Sequence, residues 1–222
     1  NKLSGQSYFG GVCLINYKEL PVPVQEFLRY QLLQLDHSAN SAVAYESDLK
    51  IFFRFMKRQR GLVEDGTPFD DILIKDLDMN FVKDITRQDI MDFIEYLRMD
   101  RIAYEGTARE ENGISPTSAR RKLSCLKAFF NYLCVHKEAL AVDPTQGVIA
   151  PKLAKTLPKY FTEDQSLKLL DAISGRNEER DYAIILLALT CGLRVSEIAG
   201  INLSDLRIED GENFLTIRGK GA

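Results

Sequence analysis

Residues Thr190–Leu206 read TCGLRVSEIAGINLSDL, and they follow the apolar run Tyr182–Leu189, YAIILLAL. The run predicts a helix over Arg180–Thr190, buried on most sides. Gly192 stands where a glycine commonly closes a helix in the left-handed conformation. A short helix is expected to restart over Arg194–Ala199, with Val195, Ile198 and Ala199 toward the core, and to end at Gly200. Arg194 then sits in a first helical turn. Unpaired N–H groups and a partial positive charge make such a turn favourable to anions. A guanidinium adds a permanent charge and a planar fork that fits phosphate oxygens. The same spacing also allows a plain Arg194–Glu197 pair, which contributes little on an exposed helix.

Composition narrows the classes. The 222 residues are 45% hydrophobic, enough for packed cores in one large domain or two small ones. No apolar run approaches the roughly 20 residues a membrane-spanning helix needs, and residues 1–20 do not read as a secretory leader. Asn1 points to a processed or trimmed start. Cys13, Cys125, Cys134 and Cys191 show no CxxC spacing, and three lie in apolar helical contexts. They read as reduced, packed thiols of a cytoplasmic protein. With only His37 and His136 available, neither a zinc site nor any other metal or cofactor is expected.

Net charge is −3, so basic character must be sought locally. The helix expected over Ala42–Arg60, capped by Ser41, has a stripe of Tyr45, Leu49, Phe52, Phe53 and Met56. Its other face carries Lys50, Arg54, Lys57 and Arg58, and no acid falls between Lys50 and Arg60. Ser115-Pro116 opens a helix over Thr117–His136. Leu123, Leu126, Phe130 and Leu133 form its core stripe, while Arg120, Arg121 and Lys127 are basic residues outside it. Both helices are candidates for contact with DNA phosphates, against the plainer reading of solvated helix faces. Gly61–Asn80 is acidic and loop-like, and should face away from a polyanion.

Further helices are expected over Val24–Leu35, over Arg87–Arg101 behind a Thr86/Asp89 capping box, and over Glu163–Ile173 behind Thr162/Gln165. Ile102–Gly113 reads as a hairpin-like loop. Three of the seven prolines fall in Asp143–Pro158, the expected linker. Strands are expected over Asp205–Glu209 and Phe214–Arg218, joined by an Asp210-Gly211 turn. The organisation is therefore an arm (1–23), a helical domain (24–142), a linker (143–158) and a second domain from residue 159.

GLRVSEIAGINLSDLRIEDG, followed by a strand and RGKG, resembles the first catalytic box of the tyrosine recombinases, the phage-integrase and Xer family. The resemblance runs from about Val24 to Ala222. It implies a mainly α chain: an all-helical SAM-like core-binding domain, then the first part of an α/β, mostly helical catalytic domain with a β-hairpin. Arg194 falls on the family's first catalytic arginine and Lys220 on its catalytic lysine. The implied partners are double-stranded DNA at a recombination site and other recombinase subunits, four on DNA in the whole protein. The implied reaction is metal-free strand exchange through a 3′-phosphotyrosyl link, Xer-like, in chromosome dimer resolution. The family's His-x-x-Arg box and nucleophilic tyrosine would lie beyond Lys220, so these residues are expected to bind DNA without cleaving it. An integrase of a mobile element, a non-enzymatic helical DNA-binding module and a helical protein–protein adaptor remain as alternatives.

Overall fold

The structure is a computed structural model that describes residues 8–9, 12–13, 15–35, 38–103, 111–153, 159–209, 212–217 and 219. The chain divides into two units, Asn1–Ala154 and Lys155–Ala222.

The first unit runs β1 (Tyr8–Phe9), β2 (Val12–Cys13), α1 (Val22–Leu33), α2 (Ala39–Gln59), α3 (Met79–Lys83), α4 (Arg87–Met99), β3 (Ile102–Ala103), β4 (Glu111–Asn112) and α5 (Pro116–Asn131). The strands form two minimal antiparallel ladders: β1 with β2 in the expected arm, and β3 with β4 inside the expected all-helical domain. The apolar stripes of α1, α2, α4 and α5 converge on one core. Phe27, Phe52, Phe53, Phe93, Phe129 and Phe130 are all fully buried there. Their rings meet edge to face, as in Phe52–Phe93 (5.1 Å, 75°) and Phe53–Phe129 (5.9 Å, 89°). Such pairs add about 0.5–1.5 kcal/mol beyond the area they bury.

Caps set the helix limits. The Thr86/Asp89 box opens α4, and Ser115 caps α5 with Pro116 just inside. Helix α2 starts earlier than expected because Ser38, not Ser41, is its cap: the Ser38 hydroxyl accepts the Ser41 N–H. Past Asn131 the chain makes a single π turn over Tyr132–His136, and Glu138 takes a positive φ of 51°.

Two expectations change here. Gly61–Asn80 is not a plain loop. It holds a 3-10 turn at Phe69–Asp71 and the start of the short α3, and it plants Ile72, Ile74 and Leu77 in the interior. The first half of the expected linker is docked: Thr145 and Val148 are buried on this unit. There Asp143 Oδ1 accepts both the Thr145 N–H and its hydroxyl, each at 2.7 Å.

The second unit comprises α6 (Glu163–Asp171), α7 (Glu178–Cys191), α8 (Val195–Ala199), β5 (Leu206–Glu209) and β6 (Glu212–Leu215). The Thr162/Gln165 box opens α6 as expected. Gly192 closes α7 at φ 64°, in the left-handed region. Strands β5 and β6 pair antiparallel from Leu206↔Leu215 to Glu209↔Glu212. The second strand therefore begins before Phe214; the Asp210-Gly211 turn lies outside the described residues. Helix α7 is not buried on most sides. None of its residues is buried, and Tyr182 and Ile184 are exposed. Of the residues expected to face a core from α8, Val195 is 85% exposed and Ala199 is exposed, leaving only Ile198 half-buried. The elements packed on α7, α6 and α8, are short and cover only part of an apolar helix. Among the described residues no helix is long and apolar enough to cross a membrane.

Candidate nucleic-acid interface and phosphate site

Arg194 is the N-cap of α8, with extended backbone (φ −73°, ψ 153°), not a residue of its first turn. Three residues on, the Glu197 carboxylate folds back. It accepts the Arg194 backbone N–H at 2.7 Å and the guanidinium Nη1 at 2.8 Å. The plain pair allowed by the spacing is thus present. The arginine side chain is 77% exposed, whereas the Glu197 side chain is largely covered. Hydrogen bonding from the Arg194 backbone, then from its side chain, holds the Glu197 carboxyl below the usual carboxylate range. Glu197 is therefore charged at neutral pH, and it fixes one edge of a guanidinium that is largely exposed. Lys220 lies outside the described residues.

The basic residues of α2 are not a free cationic face. Lys50 pairs with Glu46 at 2.9 Å, one turn back on the same helix, and with Glu19 at 3.7 Å. Arg54 meets the Asp70 carboxylate at 2.6 Å and also donates to the Asp70 and Ile72 carbonyls. Lys57 pairs with Asp76 at 2.8 Å and donates to the Leu73 carbonyl. Arg58 donates to the Thr67 carbonyl and stacks over the Phe69 ring. The acidic segment expected to face away from DNA is the one that holds Arg54, Lys57 and Arg58. Its acids lie 16 and 19 residues along the chain from their partners, so a scan for acids one helical turn away misses them.

Helix α5 differs. Arg120, Ser124, Lys127 and Asn131 line one exposed stripe. Among the described residues, Arg120 and Lys127 have no carboxylate partner. Lys127 donates to the Val148 carbonyl at 3.3 Å, in the docked 143–150 segment. Arg87, which charge counting along the helices missed, donates to the adjacent Gly147 carbonyl at 2.9 Å. A carbonyl holds a cation in place without cancelling its charge. Arg121 is compensated: its two Nη atoms grip the two Asp48 oxygens at 2.6 and 2.7 Å. Lys122 joins the same carboxylate at 2.6 Å, so the trio keeps one net positive charge.

Of the four cysteines, Cys125 is buried and burial pushes its thiol well up, while Cys191 is exposed rather than packed.

Residues 159–222 match the phage integrase family. Across 90% of its length the chain is 39% identical to "Tyrosine recombinase XerC" of Caldanaerobacter subterraneus subsp. tengcongensis, covering 53% of that protein. It is 30% identical to "Tyrosine recombinase XerC" of Thermodesulfovibrio yellowstonii over 89% of the chain and 54% of the relative. It is 32% identical to "Tyrosine recombinase XerD" of Proteus mirabilis over 93% of the chain and 56% of the relative. The chain thus spans about half the length of these curated relatives. No solved structure matches it.

Proposed function

From the premise that the chain carries a phage-integrase segment and follows the tyrosine recombinases over most of its length, we propose that it supplies the helical DNA-binding unit and the first catalytic elements of a site-specific DNA recombinase. The whole protein cuts and rejoins duplex strands through a phosphotyrosyl intermediate. Its role is Xer-like, in chromosome dimer resolution in the cytoplasm, and it acts as an assembly of subunits on DNA.

The observation that supports this reading most is Arg194: a guanidinium fixed on one edge by Glu197 and open to solvent on the other. Phosphodiester exchange passes through a phosphorane whose non-bridging oxygens gain negative charge. A preorganised fork of N–H donors stabilises that charge as it grows, and losing one such donor typically lowers the rate by about 10²–10³. Lys220 carries an ammonium suited to protonating the departing 5′-oxygen. The nucleophile is assigned to a tyrosine outside these residues, which contain no His-x-x-Arg sequence.

Duplex contact is assigned to the α5 stripe, through Arg120 and Lys127, with Arg87 beside it. Arg121 contributes from its Asp48 clamp. Phosphate contacts of this kind give affinity and position rather than a target sequence.

The test has two arms. The 222-residue chain should bind a labelled duplex with salt-dependent affinity and form no covalent adduct on a nicked suicide substrate. The whole protein should form the adduct and lose it on Arg194→Ala with DNA binding kept. Absence of salt-dependent binding, or an adduct from these residues alone, defeats the reading.

A further inference from the structure

We propose that the segment Leu62–Asp78 is an internal acidic strap that withholds the cationic face of α2 from DNA and so confines the duplex to the α5 side. The inference rests on the DNA-binding reading above.

The strap engages each cation in the second half of α2's basic run in turn. Asp70 takes Arg54, Asp76 takes Lys57, and the Thr67 carbonyl takes Arg58. Backbone carbonyls of Asp70, Ile72 and Leu73 fill further donors of Arg54 and Lys57. These are the interactions phosphate oxygens would otherwise make with the same side chains.

It is a fixture, not a flap. Ile72, Ile74 and Leu77 are buried. The Arg58 and Arg101 guanidiniums both lie against the Phe69 ring, each 5.3 Å from its centroid, with the Tyr96 ring at 6.0 Å. Removing the strap would expose that apolar surface to water, so the strap stays docked in the folded unit, and the charge of Asp70 and Asp76 decides whether the cations they hold can turn to a phosphate.

Local charge decides the outcome. From Glu64 to Asp78 the strap carries six acids and one lysine, against three cations on the α2 face it covers. A polyanion approaching from this side therefore meets net negative charge. Asp70 is 80% exposed, so its field acts through solvent over roughly the 8–10 Å that salt allows. On α5 nothing of the kind covers Arg120 or Lys127 among the described residues, so one side of the unit is left attractive to DNA.

The test compares two double variants of equal charge change in the 222-residue chain. Asp70→Asn/Asp76→Asn removes the acids that pair with α2; Glu64→Gln/Asp65→Asn removes two that do not. Affinity for a short duplex of arbitrary sequence is followed by fluorescence anisotropy across a salt series. The first double should bind more tightly and steepen the slope of log K against log salt by about 1–2, close to 0.9 per phosphate newly engaged. The second should leave the slope where it was. Asp70→Asn alone, on an exposed side chain, should steepen it by about 1, and circular dichroism checks that each variant is folded. Equal slopes for the two doubles, with the parent binding DNA, overturn the strap alone. A parent that shows no salt-dependent binding overturns the DNA-binding reading and the strap with it.

Discussion

Arg121 and Asp48 face each other fork to fork, with two parallel hydrogen bonds of 2.6 and 2.7 Å tying α5 to α2. The carboxylate is 1% exposed and also receives Lys122, whose side chain is 9% exposed. Arg121 can turn to water if the pair breaks; Lys122 cannot do so without reopening the core. Removing one partner of a buried pair typically costs about 3–5 kcal/mol, because the other charge is left behind. Asp48→Asn should therefore lower the unfolding free energy of the helical unit, read from urea denaturation, by an amount in that range. Adding Lys122→Met should recover most of the loss, since a matched apolar replacement leaves no stranded charge. No recovery in the double variant would place the cost in lost shape rather than lost charge.

Charge compensation also ranks the basic residues. Arg120→Gln and Lys127→Gln should each weaken duplex binding and reduce the salt slope by about 1, as loss of one phosphate contact does. Lys50→Gln should do neither, because Glu46 and Glu19 already neutralise it. Anisotropy titrations at two salt concentrations separate the three. A slope change for Lys50→Gln equal to that for Arg120→Gln would reject the ranking.

Helices were legible where periodicity and caps agreed. The Thr86/Asp89, Ser115-Pro116 and Thr162/Gln165 signals each span no more than four residues and need no tertiary knowledge. The mainly helical architecture followed from the same local information, as did the placing of Arg194 at the start of a short helix after Gly192, although it is the cap of that helix and not a residue of its first turn. The partners of Arg54 and Lys57 did not, because they are fixed by how a distant segment folds back. That segment read as a loop because acids surround Ile72, Ile74 and Leu77, whose burial depends on the neighbouring core. On α7 the error ran the other way. An apolar run says what a helix would favour as surroundings, not what lies against it.

Acid should loosen the segment that carries the strap. Burial acting alone would raise the Asp76 carboxyl, but the Lys57 hydrogen bond and charge, with a backbone hydrogen bond, outweigh it and hold the group below the ordinary range. The Phe81 N–H, capping α3, does most to lower Asp78. Carboxylates depressed in the folded state bind fewer protons there than in the unfolded chain. Their contribution is complete above the ordinary carboxylate value of about 3.9 and is lost as pH falls through the lower folded values. Melting temperature should hold from neutral pH to about pH 5 and drop below about pH 4. Asp78→Asn should flatten part of that drop, and an unchanged acid limb in this variant would remove Asp78 from the account.

Two left-handed glycines should respond differently to alanine. Gly192 (φ 64°) has open space where a Cβ would go, so Gly192→Ala meets backbone strain alone, roughly 1–2 kcal/mol. Gly113 (φ 78°) has the Arg98 carbonyl oxygen and carbon where a Cβ would go. Its own N–H bonds the Arg101 carbonyl, and the next N–H bonds the Leu97 carbonyl, each at 2.8 Å. Gly113→Ala must push that turn off the end of α4, breaking bonds as well as adding strain. Chemical denaturation should show the larger loss for Gly113→Ala, and equal losses would mean that the turn yields freely.

Glu197 offers the most direct probe of Arg194. Its carboxylate both caps α8 and holds the guanidinium. Glu197→Ala should therefore loosen the start of α8, as loss of a helix cap does, and release the arginine. Glu197→Gln keeps an acceptor for the backbone N–H but loses the charge that fixes the guanidinium. In the whole protein, Glu197→Gln should leave duplex affinity unchanged and slow covalent adduct formation, though by less than the roughly 10²–10³ expected for Arg194→Ala. A mispositioned donor is still a donor. If Glu197→Gln formed adduct at the parent rate, the pairing would be a feature of helix capping alone, and Arg194 would need another group to aim it.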